Sequence, residues 1–169
     1  LIVTSPVNDL TNRVLASSKF DGMGDFKFDL ALPVANLQNS RVNGTINFLG
    51  NDVQITPDTP RLNQTKGAVT FNEKGFDIKE AKAQLFGGEI RFDGGNLSNK
   101  SGTSSVVIIR GQGEATAGAL QSAQNLSVLP NIAKYASGAL TYTAELRFRQ
   151  GHSELMVQSN LVGMGIDLP

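Results

Sequence analysis

A five-residue pattern recurs along this chain: glycine, any residue, an apolar residue, any residue and an aromatic residue. Its copies begin at Gly24, Gly44, Gly67, Gly88 and Gly138, and the first four begin 20, 23 and 21 residues apart. Because alternate residues of a strand face opposite sides of a sheet, the apolar and aromatic residues of each copy share one face. A step of about 21 residues accommodates a strand, a turn and a returning strand. The pattern therefore predicts an antiparallel meander of hairpin repeats.

The rest of the chain predicts a mainly β fold in which this meander curves into a groove-like sheet. Two short helical segments accompany it. Pro6, behind a capping Ser5, begins the first at about 5–17, and a capping Thr116 begins the second at about 116–137. At 169 residues the chain is expected to form a single domain, residues 1–169.

The glycines leave two interpretations open. Placed at the start of every other strand, they would let a long sheet curl, and they are equally consistent with ordinary turn residues. Gly50-Asn51 is a turn pair, which predicts a hairpin between strands at 41–48 and 52–55.

Charge and composition argue against several classes of function. Fifteen basic and fifteen acidic residues are mixed along the chain without a basic stripe, so we expect no nucleic-acid partner. The chain has no cysteine and one histidine, His152, so we expect no metal site. Its longest apolar run, 106–109, is far shorter than the ~20 residues of a membrane helix. Because the chain also begins at Leu1, we expect a fragment of a longer protein whose anchor lies outside it.

No catalytic constellation is recognisable in the sequence. His152 lies beside a predicted turn at Gln150-Gly151, and no carboxylate can be assigned to it. The chain lacks the nucleophile-elbow motif and the phosphate-loop motif. The acidic residues that alternate with apolar ones are expected on the solvent face: Asp29, Asp52, Asp77, Glu89 and Asp93. We therefore expect no enzymatic activity, no catalytic residue and no cofactor.

Several segments together resemble one protein family. The closing run 159–169, Ser-Asn-Leu-Val-Gly-Met-Gly-Ile-Asp-Leu-Pro, resembles the "Ser-x-Leu-x-Gly-apolar-x-apolar-x-Leu-Pro" ending of the YhdP branch of the AsmA-like (AsmA/TamB) bacterial envelope proteins. The segment 29–34, Asp-Leu-Ala-Leu-Pro-Val, followed by Val42-Asn43-Gly44, is similar to that branch's "Leu-x-apolar-Pro … Val-x-Gly" step. The runs 50–60, 67–71 and 83–88 resemble its middle part.

This resemblance implies a fold and a function. Members of the family are long proteins of repeating β-groove modules, anchored in the inner membrane and extending through the periplasm. They are implicated in moving phospholipid toward the outer membrane and in maintaining its barrier. The resemblance therefore implies two partners for this chain, namely phospholipid acyl chains and neighbouring β-groove modules of the same protein.

The apolar residues of the repeats are expected to line such a groove. They are Phe26, Phe28, Ile46, Phe48, Val69, Phe71, Ile90, Phe92, Leu140, Tyr142 and Phe148. A fully closed core built from the same residues remains open as the alternative, and it would make the chain a structural or adhesive β-sandwich interaction module. In either case an open sheet edge would favour pairing with another copy of the chain.

Overall fold

A computed structural model of the protein describes residues 18–31, 41–57, 59–72, 75–96, 106–123, 133–149 and 152–167. The helical segment predicted at about 5–17 lies outside these residues. The described residues form ten strands. These are β1 Lys19–Asp21, β2 Gly24–Ala31, β3 Arg41–Gln54, β4 Leu62–Asn72, β5 Gly75–Leu85, β6 Gly88–Gly95, β7 Val107–Thr116, β8 Ala136–Arg149, β9 His152–Gln158 and β10 Met164–Ile166.

The strands form one antiparallel meander. Each strand from β3 to β8 pairs with the next strand along the chain. At one edge β1 and β2 both pair with β3, and at the other edge β9 and β10 both pair with β8. Among the described residues no ladder joins the two edges, so the sheet is open. The predicted mainly β, antiparallel architecture is confirmed.

The second predicted helical segment is described in part, since residues 124–132 lie outside the described residues. Ala133 is helical, and helix α1 covers Ala117–Gln121. The Thr116 hydroxyl caps it by accepting a hydrogen bond from the backbone N–H of Ala119, 3.3 Å away. The predicted end at about 137 lies slightly too far along the chain, because β8 already begins at Ala136. Its first three residues pair with β10, a contact between segments far apart in sequence.

The predicted hairpin at Gly50-Asn51 is also wrong. Strand β3 runs without a turn from Arg41 to Gln54, and Gly50 forms a bulge within it with φ of +124°. The Asn51 side chain is buried and holds this bulge. Its Oδ1 accepts from the Leu49 N–H at 3.1 Å, and its Nδ2 donates to the Asp21 carbonyl at 3.4 Å. Residues typical of a turn therefore serve here to bend a strand.

Similar irregularities lie on neighbouring strands. The register between β3 and β4 changes on both sides of Asn51. The registers between β4 and β5 and between β5 and β6 also change, near Gln64 on β4 and Glu80 on β5, which both have a positive φ of 51°. Because a bulge bends its strand and increases the local twist, aligned bulges on successive strands curve the sheet. The irregularities at Gly50, Gln64 and Glu80 therefore favour a curved sheet, and they lie outside the glycine positions of the repeat pattern.

The repeat pattern occupies the strands differently from the prediction. The first three copies lie on the consecutive strands β2, β3 and β4, whereas a full hairpin was expected between successive copies. The strands are longer than expected, up to 14 residues, so one strand with its loop fills the step. As a result, glycines face aromatic residues across the ladder. Gly24 lies opposite Phe48, Phe48 lies opposite Gly67, and Gly44 lies opposite Phe71.

Candidate functional site

One face of the sheet is apolar across its width. Two clusters of buried side chains cover it, and Ile55 and Phe92 pack against both. The first cluster contains Val53, Leu62, Ala83, Ile90, Ala115, Leu120, Ala133, Leu140 and Tyr142. The second contains Phe76, Ile78, Ala81, Val107, Ile109, Leu146 and Phe148. We call this face, with the two cavities described next, the groove.

Two cavities open along the groove. The larger has a volume of about 430 Å³ and the smaller a volume of about 120 Å³. The two are adjacent, since Ile55, Leu62, Phe92 and Ile109 line both. No charged side chain lines either cavity among the described residues. The volume of the larger cavity suits a small apolar ligand, since ligand pockets typically measure about 300–1,000 Å³.

The structure places most of the sequence-predicted lining residues on this face. Four of them line the smaller cavity: Ile46, Phe48, Val69 and Phe71. Three line the larger one, Ile90, Leu140 and Tyr142, while Phe92 lines both.

The other three predicted residues border neither cavity or have side chains outside the described part of the chain. Phe148 is buried in the second cluster and lines neither cavity. Phe26 sits on the edge strand β2, opposite Ile46, and is 66% exposed. The side chain of Phe28 is not among those the structure describes. Eight of the eleven predicted residues therefore border the two cavities.

Other lining residues lie outside the copies of the glycine pattern. Leu62 lies upstream of the pattern on β4, Ile109 lies on β7, and Leu155 and Val157 lie on β9. Leu146 was signalled by the apolar alternation along β8, but the glycine pattern alone leaves it out. Alternation over a whole strand is therefore a better guide to this lining than the five-residue motif.

Tyr142 is the one lining residue with a polar group and no hydrogen-bond partner among the described residues. It is 6% exposed, and its hydroxyl is buried. Its ring packs edge-on against Phe86 with centroids 6.2 Å apart. Burial raises the pKa of Tyr142 to about 12, so the phenol is neutral at physiological pH.

The apolar face continues to both edges of the sheet. On β9, Leu155 lies opposite Leu146 and Val157 lies opposite Ala144, and these two edge residues are 47% and 56% exposed. At the other edge, Phe26 extends the same face. The groove is therefore lined by apolar side chains from edge to edge.

A protein-family model described as "YhdP protein" matches residues 1–169. The chain belongs to the YhdP protein family. This confirms the resemblance seen in the sequence and makes the chain an AsmA-like protein of the bacterial envelope. Neither the curated proteins nor the solved structures provide a match. Within the described part of this YhdP-family chain, no helix has the length and apolar character needed to cross a membrane.

The opposite face of this YhdP-family sheet is polar. Glu145 on β8 accepts a hydrogen bond from Arg110 at 2.8 Å and another from Arg147. These hydrogen bonds, from Arg147 first and then Arg110, hold the pKa of Glu145 below its ordinary value of 4.5. The pKa of Glu89 is lowered in the same way by Arg91, 2.9 Å away.

The remaining charged residues fit a solvent-facing surface. Asp52 pairs with Arg61 at 3.2 Å and Asp77 pairs with Lys79 at 3.6 Å, while Asp29 and Asp93 are exposed. His152 is exposed at the start of β9, and within the described ranges no three potential ligands are grouped to hold a metal ion.

Proposed function

We propose that this chain is a non-enzymatic module of an inner-membrane-anchored periplasmic protein. Its groove provides an apolar path for the acyl chains of phospholipids on their way to the outer membrane, and so helps to maintain the barrier of that membrane. The observation that carries the proposal is the open sheet whose apolar face, with a cavity of about 430 Å³, extends to both edges.

The chemistry of the lining supports an acyl chain as the occupant. Each methylene that leaves water contributes about 0.8 kcal/mol without any directed contact. An uncharged lining of leucine, isoleucine, valine and phenylalanine supplies this contribution at many positions, so a chain is held without being fixed at one point. Such a surface suits a ligand that must slide.

The exposed edges support a second part of the proposal. Leu155 and Val157 on β9 present apolar side chains next to a strand edge that pairs with no other strand in the described part of the chain. A neighbouring β-groove module of the same protein would extend the sheet through this edge and lengthen the groove. Pairing of two copies of the isolated chain would use the same edge.

The alternative of a structural or adhesive β-sandwich has less support. It requires a second sheet that seals the apolar face, whereas the described strands belong to one open sheet. We therefore favour an occupied groove over a dry core.

The test is to purify the chain from a bacterial envelope and to analyse an organic extract by mass spectrometry. We expect phospholipid to co-purify in a fixed ratio to protein. A second sample carries the substitution Leu155→Asp, which places a charge at the exposed rim of the groove. We expect this variant to retain less phospholipid per protein than wild type. A lipid-free wild-type protein would contradict the proposal.

A further inference from the structure

The buried hydroxyl of Tyr142 has no hydrogen-bond partner among the described residues, although buried tyrosines usually have one. Leaving a buried donor unpaired is costly, so a protein keeps such a group only where something supplies the acceptor. Tyr142 lines the larger cavity, so the acceptor is sought among the groups that could occupy that cavity.

The repeats show that the hydroxyl is not needed for packing. Tyr142 occupies the aromatic position of the fifth copy, and the other four copies have phenylalanine there. Tyr142 lies opposite Gly113 of β7, and its ring packs edge-on against Phe86. A phenylalanine would make the same ring contact, so the hydroxyl adds something that this packing does not require.

A water molecule is a poor candidate for the partner. A buried water needs two to four polar partners. Among the described residues, the two other hydroxyl groups that line the cavity already form hydrogen bonds within the protein. Thr59 binds the N–H and the carbonyl of Thr56, both at 2.9 Å, and Ser159 donates to the Thr141 carbonyl at 2.7 Å.

The acceptor must also be uncharged. No charged side chain of the described residues lines the cavity, and an unpaired phosphate or carboxylate would lose much of its hydration there. The ester carbonyl that joins an acyl chain to its lipid is a neutral acceptor next to an apolar tail. It satisfies both requirements.

We propose that the Tyr142 hydroxyl donates a hydrogen bond to an ester carbonyl of a lipid held in the groove, which makes the groove selective for ester-linked acyl lipids over simple hydrocarbon chains. This inference rests on the proposed function and adds a specificity-determining residue to it.

The test compares two probes that differ only in this carbonyl. One is a phosphatidylethanolamine with two ester-linked hexadecanoyl chains, and the other is its counterpart with two ether-linked hexadecyl chains. Affinity for each is measured on the delipidated 169-residue chain. We expect wild type to prefer the ester lipid by about three- to tenfold, as one hydrogen bond would give. In Tyr142→Phe the preference should disappear while the ether lipid still binds as in wild type.

The control variant is Tyr135→Phe, which removes the hydroxyl of the other tyrosine, 36% exposed and absent from the cavity lining, and should leave the preference unchanged. If both lipids bind equally to wild type, or if Tyr142→Phe keeps the preference, the inference is overturned and the proposed function stands. If neither lipid binds, both the inference and the proposed function are overturned.

Thermal unfolding of the delipidated chain gives a further check. Tyr142→Phe should be at least as stable as wild type, and a clear loss would reveal a protein partner for the hydroxyl and overturn the inference.

Discussion

The ring of Phe71 lies across Gly44 of the neighbouring strand. The two residues are directly opposite in the β3–β4 ladder, and a Cβ atom at Gly44 would lie 2.6 Å from Cε1 and 2.8 Å from Cε2 of the ring. Phe48 and Gly67 are also directly opposite in this ladder, but a Cβ atom at Gly67 would meet Ala81, with its Cβ 2.9 Å away. At the Gly44–Phe71 pair the glycine leaves room for the aromatic ring of the next copy of the motif.

Replacing Gly44 with alanine should destabilise the protein. The backbone at this position allows an alanine, but the added methyl group overlaps the Phe71 ring, which must move out of its place on the apolar face. Overpacking of this kind costs about 1–3 kcal/mol in the free energy of unfolding. Urea denaturation of Gly44→Ala and of wild type measures this loss in the free energy of unfolding.

The matched control is Gly118→Ala. Gly118 lies in helix α1, and a Cβ atom there would have no neighbour within 4 Å. Since alanine favours a helix over glycine by about 1 kcal/mol, this variant should be slightly more stable than wild type. Equal stabilities of the two glycine variants would show that Phe71 does not occupy the space above Gly44.

Leu146 and Leu155 lie opposite each other on β8 and β9 but differ in burial, at 8% and 47% exposed. Leu146→Ala should lower the free energy of unfolding by about 2–4 kcal/mol, as for a buried leucine. Leu155→Ala should change it by less than about 1 kcal/mol, because the side chain contacts solvent. Equal losses, measured by urea denaturation, would mean that β9 belongs to the core rather than to the rim of the groove.

Stability should fall in acid partly through Glu145 and Glu89. The folded-state pKa of each lies below the ordinary value of 4.5, so each stabilises the fold above that value and loses its contribution as the pH falls through the lower, folded-state pKa. Urea midpoints followed from pH 7 to pH 3 should fall less steeply in Glu145→Gln than in wild type, and least in the double variant with Glu89→Gln. High salt should reduce the effect, since the pairs face solvent. A profile unchanged by both substitutions would contradict this assignment.

The isolated chain should associate through its β9 edge at high concentration. A lysine on an edge strand discourages pairing, because its charge would be buried on the apolar face that the added strand extends. Leu155→Lys should therefore shift light-scattering mass toward the monomer, whereas His152→Lys, at the end of the same strand and away from the groove lining, should have a smaller effect. Monomeric wild type at all concentrations would argue against edge pairing.

Local patterns were sufficient to predict the meander and its two faces. The alternation along β8 identifies the apolar side, and the first three copies of the glycine pattern lie on strands that pair with one another. Both features depend on residues close together in sequence, which is why they can be recognised without the structure.

Other features depend on distant segments and were missed. Gly50-Asn51 is typical of a turn, yet the amide of Asn51 reaches the carbonyl of Asp21, 30 residues away, and stabilises a bulge instead. The lack of a partner for the Tyr142 hydroxyl is likewise a property of the assembled groove. A sequence motif specifies which face a side chain joins, but it does not specify what that side chain meets there.

Neighbouring residues on β9 offer the most direct test of an acyl chain in the groove. Val157 lines the larger cavity and Met156 faces the polar side, and the two are almost equally exposed at 56% and 55%. A photo-crosslinking residue is placed at each position in turn, the protein is irradiated in the bacterial envelope, and adducts are identified by mass spectrometry. We predict a phospholipid adduct at position 157 and none at position 156. No adduct at position 157, or equal adducts at both positions, would contradict the presence of a lipid path in this groove.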